Sequence, residues 1–247
     1  MLTPRLYVGD APNVPAPGDE YALPDAAARH VAQVLRMRVG DAAALFTGRG
    51  GEYAATIRAI DRRSVVLRIE RHDPVERESS WRVTLAQSII AADMMDLVVR
   101  KAVELGVAAI APLQSARSQG VSDERIARRV EHWRRIAVAA CEQCGRNRVP
   151  EVAPVATFAQ WFAANGTGVR PVAILDAAGG RSLAGVTPHE APHAMVVGPE
   201  GGFDAAEVAL AREAGATPVH LGRRVLRAET AALAAVAIVN ALAGDAR

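Results

Sequence analysis

Two glycine-bearing breaks near the carboxyl end hold the residues best placed for chemistry. The apolar run Ala194 to Val197 stops at Gly198-Pro199-Glu200-Gly201-Gly202. The shorter run Val219 to Leu221 stops at Gly222, and Arg223-Arg224-Val225-Leu226-Arg227-Ala228-Glu229-Thr230 follows. Each break reads as strand, loop, helix, and Asp204 with Glu207 three positions on forms a capping-box start for the first helix. In such loops a ligand meets main chain, because glycine has no side chain to obstruct it. Several other sites are excluded by spacing. A P-loop needs Gly-Lys-[Ser/Thr], whereas Lys101, the only lysine, lies between Arg100 and Ala102. Gly180-Arg181-Ser182-Leu183-Ala184 lacks the last glycine of a nucleophile elbow. Cys141 and Cys144 form a lone C-x-x-C without a second ligand pair, so two reduced thiols are expected there instead of a zinc site.

The runs Val197 to Phe203 and Leu221 to Ala231 resemble the signature loops of the SPOUT methyltransferases, most closely the RsmE family of ribosomal RNA uridine-N3 methyltransferases. The likeness extends to His30 through Asp41, Lys101 through Gly106, Arg117-Ser118, and Glu142 through Arg146. It implies an α/β fold: a SPOUT-type knotted parallel sheet with helices on both faces, behind a small PUA-like β-barrel. Knots are rare, so that expectation rests on the resemblance alone. It also implies S-adenosylmethionine as cofactor, bound by Leu175, by Gly198, Pro199, Glu200, Gly201 and Gly202, and by Leu221, Gly222, Val225, Leu226, Thr230 and Ala231. Arg227 and Glu229 are the catalytic candidates. Arg227 would stabilise an anion, and Glu229 would act as base, orient Arg227, or simply occupy the first helical turn. Glu200 is open between helix-start stabilisation and substrate contact. Arg36, Arg38, Arg117 and Arg146 are candidate RNA contacts, with solvated surface positions as the alternative. The implied partners are 16S ribosomal RNA or the small ribosomal subunit, and a second copy of the chain. One departure stands out: Ala91-Ala92-Asp93-Met94-Met95 lacks the basic residues the family often has there. The rivals are a ribose 2′-O methyltransferase of the same superfamily and an RNA-binding assembly factor without catalysis. Leu175 to Gly180 also resembles the first motif of ordinary Rossmann-type methyltransferases, but only 67 residues follow Gly180, too few for the rest of that domain.

The elements that must position these residues divide at a polar stretch, His72 to Ser80, which predicts domains at 1–72 and 73–247. In the first, Leu6 to Val8, Ala43 to Thr47, Glu52 to Ile60 and Ser64 to Ile69 read as strands and Ala26 to Leu35 as a short helix. A proline-rich turn (Pro12, Pro15, Pro17), Gly48 to Gly51 and Asp61 to Arg63 connect them. In the second, strands at Trp81 to Ile89, Val107 to Pro112 and Pro171 to Asp176 alternate with helices, predicting a parallel sheet. The Asp93 to Leu105 helix closes at Gly106, with Lys101 on its apolar face either snorkelling or paired to Glu104 three residues on, and with a part in shaping the site as the alternative. Ser122 caps a helix whose inner face is Ile126, Val130, Trp133, Ala137 and Ala140, with Arg128, His132 and Arg135 opposite. The last helix, Thr230 to Ala243, is apolar nearly all round, so it must be covered on more than one side, which predicts a homodimer.

At 247 residues, half of them hydrophobic, the chain can bury a large core. The formal net charge of +2 does not by itself predict a nucleic-acid partner, yet eight arginines face four acids between Arg117 and Arg148. Met1 to Arg5 has no apolar core of a signal peptide, and Ala231 to Ala243 is too short to span a bilayer. A cytoplasmic location is expected.

Overall fold

The computed structural model describes residues 3–9, 16–61, 64–118, 123–165, 171–176, 180–187 and 190–244. The chain forms two compact units. One comprises Met1–Glu78 with Cys141–Val149, the other Ser79–Ala140 with Pro150–Arg247. Pro12, Pro15, Arg62, Arg63 and Ser122, to which turns or a cap are assigned above, and Ala177 to Gly179 of the Rossmann-like stretch lie outside the described residues.

The first unit is built on a five-stranded mixed sheet. Strand β1 (Arg5–Tyr7) runs parallel to β3 (Ala42–Phe46), and β3, β4 (Glu52–Ile60) and β5 (Val65–Asp73) form an antiparallel meander. A short β2 (Glu20–Ala22), unexpected from the sequence, closes the far side against β5. Burial alternates with the pleat: Tyr53, Ala55 and Ile57 on β4 and Val65, Leu67 and Ile69 on β5 point into one core with Leu6, Leu45 and Val31. The helix expected over Ala26 to Leu35 is α1 (Asp25–Arg29) followed by a π-helical turn over 30–35. That turn ends at Arg36, whose φ of 52° makes it the only non-glycine residue at positive φ among those described.

This unit extends past the boundary expected at residue 72 because its ionic contacts do. Arg146 reaches Glu78 with its Nε at 3.0 Å, Arg148 reaches Glu76 at 3.3 Å, and the Asn147 amide donates to the Val75 carbonyl at 2.8 Å. Arg77 donates to Glu52 at 3.0 Å and to the Gly145 carbonyl at 3.0 Å, and Arg5 also pairs with Glu52. Burial pushes the Glu52 carboxyl up, but hydrogen bonds from Arg77 and Arg5 outweigh it and hold the group at about 2. Glu76 fills the space a Cβ at Gly50 would occupy while accepting from the Gly51 N–H at 2.9 Å.

The second unit is an eight-stranded sheet whose pairings are all parallel. Its elements are β6 (Thr84–Ser88), α2 (Ala92–Glu104), β7 (Ala109–Gln114), α3 (Asp123–Cys144), β8 (Glu151–Val152), β9 (Ala156–Thr157) and α4 (Phe158–Asn165). They continue with β10 (Val172–Leu175), β11 (Arg181–Ser182), β12 (Ala194–Val197), α5 (Ala205–Glu213), β13 (Thr217–His220) and α6 (Ala228–Leu242). The order is β11-β13-β10-β12-β6-β7-β8, with β9 also beside β7. Alternate residues face two sides. Ala86, Leu113, Ile174 and Val196 pack with Phe158, Trp161 and Phe162 of α4 and Ala211 of α5. Leu85, Ile110 and Met195 take the opposite side, where α6 lies against α2, β12 and β6.

Several local expectations are met. Gly106 has φ 84° just past α2, Lys101 and Glu104 pair at 2.8 Å, and the Asp204–Glu207 capping box is complete. On α3, Val130, Trp133, Ala137 and Ala140 are buried. Asn240, which interrupts the apolar pattern of α6, is itself buried and donates to the Leu105 carbonyl. Strands β8, β9 and β11 and helix α4 were not expected. Among the described residues no helix is long and apolar enough to cross a membrane.

Because the Glu52 carboxyl is held below its usual value of 4.5, its ion pairs stabilise the fold above that pH and are lost as pH falls toward about 2. Glu52→Gln should therefore lower stability near pH 7 by about 1–2 kcal/mol. In thermal melts the gap to the wild type should close as the pH is taken from neutral to about 2. A gap independent of pH would remove the ionic explanation.

Candidate active site

A cavity of ≈ 630 Å³ opens in the second unit at the carboxyl ends of β10, β12 and β13. That edge of an open parallel sheet is where ligands gather, since loops leave each strand there and helices begin. From β10 come Leu175 and Asp176. The β12–α5 loop contributes Gly198, Pro199, Glu200, Gly202 and Phe203. The β13–α6 loop contributes Leu221, Gly222, Arg224, Val225 and Leu226, and the start of α6 adds Arg227, Glu229 and Ala231. Nearly all the sequence-predicted binding residues thus meet around one space, although they span three loops. Gly201 and Thr230 do not line it.

The glycines serve different needs. At Gly202 (φ 69°) and Gly222 (φ 108°) an added Cβ would touch nothing within 4 Å, so the requirement is conformational. At Gly198 it would stand 3.3 Å from the Phe203 ring, so the requirement is space. The Gly202 N–H donates to the Pro199 carbonyl at 2.9 Å, closing a turn. Glu200 accepts from the Ala91 N–H at 3.0 Å, directly before α2, so its carboxylate steadies a helix start. The helix is not α5, which follows it in sequence, but α2. Gln87, fully buried at the end of β6, donates to the Ser88 carbonyl at 2.8 Å and lies 3.4 Å from the Gly198 carbonyl. At the end of β13 the His220 Nδ1 accepts from the Gly222 N–H at 3.1 Å.

Arg227 immediately precedes α6 and is exposed, and Glu229 lies in the first helical turn. Among the described residues neither they nor Arg224 makes a side-chain hydrogen bond or ion pair, so Glu229 does not orient Arg227 through a direct contact. Missed in the sequence were Arg224, which stands at the second arginine of a matched motif, and Asp176, His220, Ala91 and Met94. Asp176 and His220 follow from the rule of carboxyl strand ends. Ala91 and Met94 carry no signal of their own residue type, since it is the start of α2 beside the β12–α5 loop, tied there by Ala91 and Glu200, that brings them in.

The RNA candidates separate. Arg36 and Arg38 are exposed, beside Val34 and Val39, which are 65% and 61% exposed. Arg117 is exposed, and its guanidinium donates to the Gly201 carbonyl at 2.7 Å. Arg146 requires a correction. It is 4% exposed and locked onto Glu78, so it is not a surface cation. On the outer stripe of α3, His132 pairs with Asp96 at 2.8 Å, while Arg128 is exposed. Burial drives the Cys141 thiol up to about 12, so it stays protonated and is no thiolate nucleophile.

Comparison with known proteins agrees with this architecture. Residues 77–240 match the family model of an RNA methyltransferase domain, and residues 23–70 that of an RNA methyltransferase PUA domain. A ribosomal RNA small subunit methyltransferase E from Neisseria gonorrhoeae, solved bound to S-adenosyl methionine, is 35% identical over 98% of both chains, with a TM-score of 0.86. A Legionella pneumophila methyltransferase, solved with the cofactor SAM bound, gives 35% identity, 98% coverage of both chains and a TM-score of 0.90. The ribosomal RNA small subunit methyltransferase E of Synechocystis is 32% identical over 225 residues, 89% of this chain and 72% of that relative. With a PUA domain ahead of an RNA methyltransferase domain and relatives of this kind along nearly its whole length, the chain belongs to the ribosomal RNA small subunit methyltransferase E family.

Proposed function

We propose that this chain transfers a methyl group from S-adenosylmethionine to N3 of a specific uridine in 16S ribosomal RNA of the small subunit. The observation that carries the reading is the cavity at the carboxyl edge of the sheet, where two glycine-bearing loops meet and where Arg224, Arg227 and Glu229 have no side-chain hydrogen bond or ion pair among the described residues. The cofactor fits the residues present. A space of ≈ 630 Å³ lies in the range of small-molecule sites, with Leu175, Leu221, Val225 and Leu226 for an adenine and backbone groups at Gly198 and Gly202 for polar atoms. When bound, S-adenosylmethionine supplies an electrophilic methyl group.

The protein's part is orientation and charge. Transfer is an in-line displacement, so holding nucleophile and methyl in line accounts for much of the rate. Uridine N3 carries a proton with a pKa of about 9–10, in the range where general base catalysis helps. Arg227 stabilises the negative charge that spreads over O2 and O4 as that proton leaves. Glu229, half-buried on the wall of the cavity, is the candidate base. Arg36 and Arg38 of the first unit offer guanidinium groups to RNA phosphates. The first unit, which the sequence bounds at residue 72, is the RNA-holding domain in this reading. Helix α6 leaves Thr230, Ala237 and Ala241 exposed along its length, a face of small side chains suited to a second copy. An enzyme of this substrate works in the cytoplasm.

Mass mapping of nucleosides in ribosomal RNA from a deletion strain should show loss of 3-methyluridine at one position, restored by the wild-type gene. Loss of a 2′-O-methylated nucleoside instead would transfer the chain to the ribose-modifying branch. Arg227→Ala should leave cofactor affinity within about twofold and lower turnover by about 10²–10³. Unchanged turnover would remove Arg227 from the chemistry. Sedimentation at micromolar concentration should give twice the chain mass of 26.0 kDa. A species of single mass would contradict the assignment of the α6 face.

A further inference from the structure

Arg117 stands apart from the exposed candidates Arg36 and Arg38 because, of these three, it alone among the described residues has its guanidinium in use, on the main chain of the β12–α5 loop. It lies three residues beyond β7, two strands away from β12 in the sheet. Its backbone is fixed by a compact turn: the Ser115 N–H donates to the Ser118 hydroxyl at 3.1 Å, the two hydroxyls are 2.8 Å apart, and the Ser118 N–H returns to the Ser115 carbonyl at 3.1 Å. The same turn is tied to the start of α5. The Ala116 N–H donates to Glu207 at 2.7 Å, and the other oxygen of that buried carboxylate accepts from the Asp204 N–H at 3.1 Å. From this platform Arg117 donates to the Gly201 carbonyl, and its stem lies along the residue. A Cβ on Gly201 would stand 3.3 Å from the Arg117 Cδ and 3.5 Å from its Cβ.

The consequence lies in one peptide plane. The carbonyl of Gly201 and the N–H of Gly202 belong to the same peptide unit. The carbonyl end is held by Arg117 at 2.7 Å and the N–H end by the Pro199 carbonyl at 2.9 Å. Two glycines in succession are otherwise the least restrained step in a chain, and Gly202 must hold φ 69°. Gly201 does not line the cavity, whereas Glu200 and Gly202 on either side of it do. Arg117 therefore grips the loop at the one residue between Gly198 and Phe203 that does not line the ligand space.

We propose that Arg117 is a positioning residue for the cofactor loop: it locks the Gly201–Gly202 peptide from behind and so presents Glu200 and Gly202 to the cofactor, and it is not primarily an RNA contact. The proposal rests on reading the cavity as the S-adenosylmethionine site. It also accounts for glycine at 201. A methyl group there would stand 3.3 Å from the arginine stem, which must shift by a few tenths of an ångström and so disturbs the guanidinium's bond to the carbonyl.

The test is calorimetric titration of S-adenosylmethionine into the wild type, Arg117→Ala, Arg117→Lys, Gly201→Ala and the Arg117→Ala/Gly201→Ala double variant. Each is checked by its melting temperature and by its affinity for a 16S ribosomal RNA fragment. Arg117→Ala should weaken cofactor binding about 5- to 10-fold, as loss of one charge-assisted hydrogen bond would. Lysine, which can still donate to the carbonyl, should restore part of it. Gly201→Ala should weaken binding in the wild type and add little in the Arg117→Ala background, because both changes break the same contact. RNA affinity in the absence of cofactor should stay within twofold. Additive losses, or unchanged cofactor affinity with weakened RNA binding, would overturn the proposal and return Arg117 to the RNA surface. A wild-type chain that binds no S-adenosylmethionine would instead overturn the functional reading, and this proposal with it.

Discussion

A loop that binds a ligand through main chain must be rigid, and glycine, which lets the ligand approach, is the residue least able to supply that rigidity. The β12–α5 loop meets this conflict with partners from outside itself. Glu200 accepts from the Ala91 N–H before α2, Gln87 at the end of β6 lies near the Gly198 carbonyl, and Arg117 beyond β7 holds the Gly201 carbonyl. Glu207 closes the arrangement by serving the α5 cap and the Ala116 N–H together. The β13–α6 loop has its own local acceptor in His220. The parallel sheet is what makes this bracing available, since neighbouring strands end side by side and each loop finds the next within reach.

The two signature loops were legible because their chemistry is local. Gly198 to Gly202 and Leu221 to Leu226 lie where apolar runs break, and the structure places both around one cavity. The capping box at Asp204, the Gly106 helix end and the buried face of α3 were legible for the same reason, since each is a pattern within a few residues. What the sequence hid was long-range. Arg146 looks like a member of a basic surface run, but its partner Glu78 is 68 residues away and its guanidinium is buried. Met94 joins the cavity only because α2 packs beside the loop. Strands β8, β9 and β11 are two residues each and carry no periodicity that could announce them.

The same long-range pairing explains why Cys141–Val149 belongs with the amino-terminal residues. Arg146, Asn147 and Arg148 face Glu78, the Val75 carbonyl and Glu76, while Glu52 draws in Arg5 and Arg77. A buried charge is tolerated only when it finds a partner, and buried Arg146 has Glu78, while Arg77 and Arg148 pair nearer the surface. The C-x-x-C at the head of this segment takes its character from that setting. Cys141 is enclosed and stays a thiol, so it is part of the packing.

In the proposed reading two braced glycine-bearing bends enclose a sulfonium cofactor, with Arg227 toward the acceptor. A crystal structure of the chain soaked with S-adenosylmethionine tests it most directly. Density for the cofactor between Gly198–Gly202 and Leu221–Leu226, with its methyl group on the side of Arg227, is the predicted result. Both bends empty at saturating cofactor, or density bound at another place on the chain, would contradict it.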